Sequence, residues 1–79
     1  MEKTEILEGL KEVLHMAKPK LVLDNVTLDS NLTTDVGVDS LTMLMMVLGI
    51  ETKFDMRFDT QEPFTTVGQV VDYIYKAKK

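Results

Sequence analysis

The stretch from Leu41 to Ile50 constrains the fold most, because only Thr42 and Gly49 within it are not large apolar residues. Spacing residues at 100° predicts a helix over 40–54 with two apolar stripes on opposite sides. The stripe expected to face the core contains Met43, Val47, Ile50 and Phe54, with Met46 beside it. The second stripe, called the outer stripe below, contains Leu41, Leu44, Met45 and Leu48. A chain of 79 residues has little protein to cover both faces. The outer stripe is therefore predicted to contact a partner, the alternative being burial under the preceding segment.

Two other segments have a helical period. The first runs from Glu5 to Ala17, with Thr4 as a predicted N-cap and Pro19 after its end. Its apolar stripe contains Ile6, Leu7, Leu10, Val13, Leu14 and Ala17. The last helix is predicted to start at Thr66, because the run 66–69 has the pattern of a capping box. Its buried stripe is predicted to contain Val67, Val70, Val71 and Ile74.

The segment 18–39 has no clear period and is rich in Asp, Asn, Ser and Thr. A connection this long is unusual in a small domain unless it has a function. Its apolar residues are predicted to anchor it across the helices: Leu21, Val22, Leu23, Val26, Leu28 and Leu32. A hairpin about Asp24 and Asn25 is the alternative, although an isolated hairpin is marginally stable. A second connector, 58–64, has room for at most one helical turn and contains Pro63. We predict one all-α domain over 1–79, a small bundle of three to four helices with a long first loop.

Composition excludes several classes of function. The formal net charge of −4 and the scattered acidic residues disfavour a nucleic-acid partner. With no cysteine and a single histidine, disulfides and thiolate metal sites are excluded. The charged start of the chain and the short apolar runs predict no secretory signal and no membrane span, hence a soluble cytoplasmic protein. His15 is expected on the surface near a helix end. A catalytic triad of Ser40, His15 and an aspartate is disfavoured, because the chain is too small to enclose a substrate pocket.

The run Gly37–Leu41 lies at the junction between the long loop and the apolar helix. Ser40 is predicted on the first helical turn, at the surface, beside unpaired backbone N–H groups that favour negative charge. A phosphate ester on its hydroxyl would be well tolerated there. The alternative is that Ser40 only caps the helix. Asp39 is predicted to cap the helix or to orient an attached group, and Gly37 to adopt a positive φ in a turn.

These motifs together resemble those of acyl carrier proteins. The similarity covers nearly the whole chain and rests on Leu32, on 35–41, on Phe54, on 64–67 and on 71–74. It implies that Ser40 carries 4′-phosphopantetheine, a covalent cofactor that a phosphopantetheinyl transferase (holo-carrier synthase) adds from coenzyme A. Asp39 and Leu41 flank that site. The resemblance further implies a monomeric carrier, not an enzyme, that presents acyl thioesters to enzymes such as a ketosynthase or an acyltransferase.

The second helix departs from the family pattern. Carriers of fatty-acid synthesis usually have acidic residues along this helix for basic partners, whereas Thr42 and Met45 occupy the two most relevant positions here. Glu51 remains and is predicted to join the outer stripe in partner binding. This apolar surface favours a specialised, polyketide-like pathway over housekeeping fatty-acid synthesis. The alternative from another class is an unmodified helical adaptor that grips a partner through the patch Leu41–Leu48.

Overall fold

A computed structural model describes residues 2–58 and 64–78. These ranges contain three α-helices, α1 (Lys3–Ala17), α2 (Ser40–Lys53) and α3 (Val67–Lys78). The long loop between α1 and α2 contains one π-helical turn at Leu32–Val36. The described residues form no strand, only an isolated bridge between Asn31 and Thr66. The predicted all-α class is confirmed, and the alternative hairpin in the long loop is not formed.

Helix α1 begins earlier than its sequence predicts. The N–H of Ile6 donates to the carbonyl of Glu2 at 3.1 Å, so the helical hydrogen bonds start before Thr4. The N-cap is therefore Glu2, whose side chain makes no capping bond, and the prediction of Thr4 as the cap is wrong. At the other end, Lys18 N–H donates to the Leu14 carbonyl at 2.9 Å, one residue before Pro19.

Two glycines let α1 and α2 approach closely. A Cβ on Gly9 would lie 2.6 Å from Cζ of Phe54, and a Cβ on Gly49 would lie 2.7 Å from Cγ1 of Val13. Neither distance is compatible with a side chain at the glycine unless its neighbour moves. The residues that fill the core beside this crossing include Ile6, Leu10, Leu14, Met46, Ile50, Val70, Val71 and Ile74, all fully buried.

The close approach rotates α2 relative to the prediction. Thr42 is buried, and Met46 lies at the centre of the buried face together with Ile50. Met43 and Val47, which were expected in the core, are only half-buried. Because α1 packs against the side of α2 that carries Gly49, the buried face is centred nearer Met46 than Met43.

The long loop is held by a subset of the predicted anchors. Val26 and Leu32 are buried, and Leu21 and Leu23 are half-buried. Val22 and Leu28 are exposed, so their prediction as anchors is wrong. Two residues that were not predicted replace them: Val36 and Val38 are buried in the same core.

Helix α3 has the predicted capping box, although Thr66 precedes the helix as its cap and Val67 is the first helical residue. The Thr66 hydroxyl accepts from Gln69 N–H at 3.3 Å, and Gln69 Oε1 accepts from Thr66 N–H at 3.2 Å. The predicted buried stripe of α3 is confirmed, since its four members are fully buried. The turn predicted around Pro63 lies outside the described residues.

Candidate functional site

Ser40 is the first residue of α2 and is exposed. Its hydroxyl makes no hydrogen bond within residues 2–58 and 64–78. The helix cap is Asp39, so the alternative interpretation of Ser40 as the cap is wrong. The arrangement presents an accessible nucleophilic oxygen at the positive end of a 14-residue helix.

Asp39 turns its carboxylate back onto the helix. Its Oδ1 accepts from the N–H of Thr42 at 2.8 Å, and its carbonyl accepts from the N–H of Met43 at 2.8 Å. The hydrogen bond from Thr42 holds the pKa of the Asp39 carboxyl below its usual value, and the positive charge of Lys18 adds to this effect. Lys18 Nζ lies 3.8 Å from Asp39 Oδ2. A cation from the end of α1 is thus brought to the start of α2.

The loop before Ser40 is fixed by its own hydrogen bonds. Asn31 Oδ1 accepts from the N–H groups of Thr33 and Thr34, each at 2.9 Å, and Asp35 Oδ2 accepts from Asn31 N–H at 2.7 Å. The N–H of Val38 then donates to the Leu32 carbonyl at 2.8 Å. These bonds, with the buried side chain of Val38, set the position of the site.

Gly37 reverses the chain immediately after the π-helical turn. Its φ of 92° is in the left-handed region, as predicted, and a side chain there would be strained. Its N–H donates to the Leu32 carbonyl at 3.1 Å. The glycine therefore ends the turn two residues before Asp39 and lets the next residues extend toward α2.

A cleft of about 460 Å³ opens beside Ser40. Its apolar lining comes from Val38, Met43 and Phe64, and Thr33 contributes a polar edge. The Phe64 ring is held from behind by edge-on contacts with Phe58 and Tyr73, at centroid distances of 5.7 Å each. Phe58 and Tyr73 also stack on each other at 4.8 Å.

The outer stripe is exposed along its whole length. The exposed fractions are 66% for Leu41, 57% for Leu44, 41% for Met45 and 54% for Leu48. The alternative, that the long loop buries this stripe, is wrong. A row of four large apolar side chains in solvent is the kind of surface that marks an interaction site.

Glu51 is placed differently from the outer stripe. It is half-buried, and its Oε2 accepts from the N–H of Phe58 at 2.9 Å. Its carboxylate therefore holds the backbone of the segment that follows α2.

The triad disfavoured in the sequence would pair Ser40 with His15. His15 lies in the last turn of α1, and no hydrogen bond or ion pair joins it to Ser40 in the described parts of the chain. Within those parts, no three side chains of His, Cys, Asp or Glu are grouped to hold a metal ion. None of the helices there is long and apolar enough to cross a membrane.

Three features of the site had no clear signal in the sequence. Lys18 is separated from Asp39 by the whole aperiodic loop, and Phe64, which also lines the cleft, lies beyond the end of α2 in the sequence. Thr33 belongs to the π-helical turn, which no periodicity predicts. The capping pattern at Asn31 and Asp35 was the signal that could have indicated a structured turn.

Comparison with known proteins gives a consistent match. The family model described as "Phosphopantetheine attachment site" matches residues 4–74. The acyl carrier protein of Kineococcus radiotolerans is 37% identical over 76 residues, which cover 94% of this chain and 93% of the relative. That of Beutenbergia cavernae is 38% identical over 76 residues, covering 94% and 92%. That of Amoebophilus asiaticus is 45% identical over 53 residues, covering 65% and 66%. The resemblance identified in the sequence is confirmed.

Proposed function

Because this chain belongs to the acyl carrier family and so carries covalent 4′-phosphopantetheine, we propose that Ser40 is the attachment residue. When bound, the group supplies a terminal thiol on which acyl intermediates are held as thioesters. The protein itself is a carrier and not a catalyst. The observation that carries the proposal is the exposed, unbonded hydroxyl of Ser40 at the first position of α2.

The surroundings of Ser40 fit a phosphodiester. The first N–H groups of a helix have no intrahelical acceptor; the Asp39 carboxylate accepts from that of Thr42, and Met43 N–H makes the first intrahelical bond, to the Asp39 carbonyl. The N–H groups of Ser40 and Leu41 remain to face a negative charge. Lys18 lies close enough to Asp39 to reduce the repulsion between its carboxylate and a neighbouring phosphate.

The cleft beside Ser40 suits the part of the arm nearest the phosphate. Val38, Met43 and Phe64 offer apolar contact, and Thr33 offers a hydroxyl at the edge. The aromatic contacts behind Phe64 keep its ring in place. In this proposal these side chains restrict the directions in which the arm leaves the protein.

Family membership implies a phosphopantetheinyl transferase and biosynthetic enzymes as partners. We propose that they dock on the outer stripe. In this proposal the transferase contacts Asp39 and Leu41 at the start of α2, and Glu51 adds a contact near the end of α2. A largely apolar docking face supports a specialised, polyketide-like pathway, in which a ketosynthase or an acyltransferase is the expected partner. In this proposal the carrier acts as a monomer in the cytoplasm, where coenzyme A is available.

The attachment residue is tested by intact mass after incubation with coenzyme A, magnesium and a broad-specificity phosphopantetheinyl transferase. The parent chain should gain one phosphopantetheine and Ser40→Ala should gain none. Ser30 is the other serine of the chain, so Ser30→Ala is the matched control and should be loaded like the parent. Loading of Ser40→Ala would overturn the proposal. A folded parent that stays unmodified, both here and in its native host, would favour an adaptor that binds through the outer stripe.

A further inference from the structure

A lysine from the end of α1 lies close to the proposed attachment residue. Lys18 directly follows α1 and places its Nζ 3.8 Å from Oδ2 of Asp39, the residue that precedes Ser40. The side chain of Lys18 is 40% exposed, so it is partly accessible to solvent. Because the Cα atoms of adjacent residues are about 3.8 Å apart, a group that contacts the Asp39 side chain is also near Ser40.

The backbone of Lys18 is held in place, whereas its side chain can move. Its N–H donates to the Leu14 carbonyl at 2.9 Å, and its carbonyl accepts from Leu21 N–H at 3.0 Å. Pro19 follows, and its ring fixes its own φ. The four-carbon stem of a lysine is flexible, and its ammonium group has three rotatable donors. The ammonium group can therefore change partners without any change in the path of the chain.

The contact between Lys18 and Asp39 is longer than the two other ion pairs among the described residues, which measure 2.6 and 2.8 Å. At 3.8 Å it exceeds the length of a hydrogen bond. The Asp39 carboxylate is held instead through Oδ1, which accepts from Thr42 N–H at 2.8 Å. If Lys18 left Oδ2, the cap of α2 would therefore stay intact.

We propose that Lys18 binds the phosphodiester once Ser40 carries phosphopantetheine, an inference that rests on Ser40 being the attachment residue. In the unloaded protein the ammonium group lies beside Asp39, and in the loaded protein it donates to the free phosphate oxygens. Those oxygens carry a negative charge, and lysine is a common ligand of phosphate. Loading brings this charge close to the Asp39 carboxylate, so Lys18 lies where two like charges meet.

The chain offers a matched control for the charge of Lys18. In the described parts of the chain, no other cation forms an ion pair with Asp39. Lys18 is also the only charged side chain there that lowers the pKa of the Asp39 carboxyl. Lys20, two residues further along the same loop, is exposed and makes no ion pair within those parts. Replacing Lys20 removes the same charge without removing the contact.

The test is a thermodynamic cycle between loading and Lys18. The urea midpoint is measured at low salt for the unloaded and phosphopantetheinylated forms of the parent, Lys18→Gln, Lys18→Arg and Lys20→Gln. If Lys18 had only a structural role, its removal would change both forms equally, whereas a contact with the phosphate makes the change larger in the loaded form. Intact mass of each sample shows separately whether phosphopantetheine has been added, so failure of the attachment proposal is distinguishable.

We expect loading to lower the urea midpoint of Lys18→Gln by about 0.3 M more than that of the parent, the size expected for one surface ion pair. Added salt should reduce this difference. Lys20→Gln should respond to loading like the parent, and so should Lys18→Arg, which keeps the charge. The ³¹P resonance of the loaded protein should shift in Lys18→Gln and stay in place in Lys20→Gln.

Two results would overturn the proposal. The first is an equal change of the urea midpoint in the loaded and unloaded forms of Lys18→Gln, with an unchanged ³¹P resonance, because Lys18 would then act on Asp39 alone. The second is a response of Lys20→Gln that matches that of Lys18→Gln, because the effect would then follow from the net charge of the protein.

Discussion

Single residues decide how closely the two largest helices of this carrier pack. Gly49 is the sharpest case, because an added Cβ would lie 2.7 Å from Val13, a stiff, branched side chain. Alanine would favour the helix by about 1 kcal/mol. Overpacking costs about 1–3 kcal/mol, so the unfavourable effect should prevail.

We predict that Gly49→Ala lowers the free energy of unfolding by roughly 1 kcal/mol, measured by urea denaturation. Thr52→Ala is the control, since it also raises helix propensity, by a smaller amount, at an exposed position of α2. Its effect should stay within about 0.5 kcal/mol. A Gly49→Ala protein more stable than the parent would mean that the helices are not in contact at this point.

The contacts of Asp39 could be predicted from the sequence only in part. Its place before an apolar helix predicts a cap, and the cap is present. The contact of Asp39 with Lys18 was not predictable, because it depends on the path of a 22-residue segment without a period. The exposed position of Ser40 followed from the sequence, whereas the contribution of Phe64 to the cleft beside it did not, because Phe64 lies in a connector without a helical period.

At the level of the helices and the long loop, some features were also predictable from the sequence and others were not. The three helices are predictable because each has an apolar stripe at helical spacing. The rotation of α2 was not, because a segment that is apolar all round gives no preferred direction. The choice depends on the contacts of Gly9 in α1 with Phe54 and of Gly49 in α2 with Val13. In the long loop, apolar character alone could not separate Val26, which is buried, from Val22, which is 71% exposed.

The long loop should depend strongly on one anchor. Leu32 is fully buried, and its N–H donates to the Thr65 carbonyl at 2.9 Å, tying the loop to the start of α3. Leu32→Ala is predicted to destabilise the protein by about 2–5 kcal/mol in urea denaturation. Val22→Ala in the same loop should change stability by less than about 0.5 kcal/mol. Equal effects of the two variants would show that the loop is not anchored as described.

The outer stripe should affect partners and not the fold. Leu44 is 57% exposed, so Leu44→Glu is predicted to change the free energy of unfolding by less than about 0.5 kcal/mol. If the transferase docks there, the rate at which it loads phosphopantetheine should fall roughly tenfold. This is the effect expected when an interface loses a residue of moderate energetic importance. Val22→Glu introduces the same charge away from the stripe and should load normally. Unchanged loading of Leu44→Glu would remove the stripe from the transferase interface.

At the scale of the whole molecule, three exposed carboxylates connect stability to pH. Hydrogen bonds lower the pKa of Glu12 through Lys53, of Asp39 through Thr42 N–H, and of Asp72 through Lys3. Their ordinary pKa values are 4.5 for Glu12 and 3.8 for the two aspartates. Because the folded pKa is the lower one, the unfolded chain binds more protons as the solution is acidified.

The contributions of these carboxylates to the free energy of unfolding are present above pH 4.5 and are lost as the pH falls through the pKa values of the folded protein. We predict a nearly constant melting temperature between about pH 5 and 7 and a progressive fall below about pH 4, measured by circular dichroism. Asp72→Asn, which removes the 2.8 Å ion pair with Lys3, should flatten part of that fall. Added salt should weaken the exposed pairs. A melting temperature that rises on acidification would contradict this account.

Ser40 as the attachment residue is tested most directly by peptide mass spectrometry on the protein isolated from its native host. Fragmentation of the peptide that contains 37–41 locates any phosphopantetheine to a single residue. We predict the group on Ser40, with Ser30 unmodified. Phosphopantetheine on another residue, or a fully unmodified Ser40 in protein that carries the group elsewhere, would contradict the proposed site.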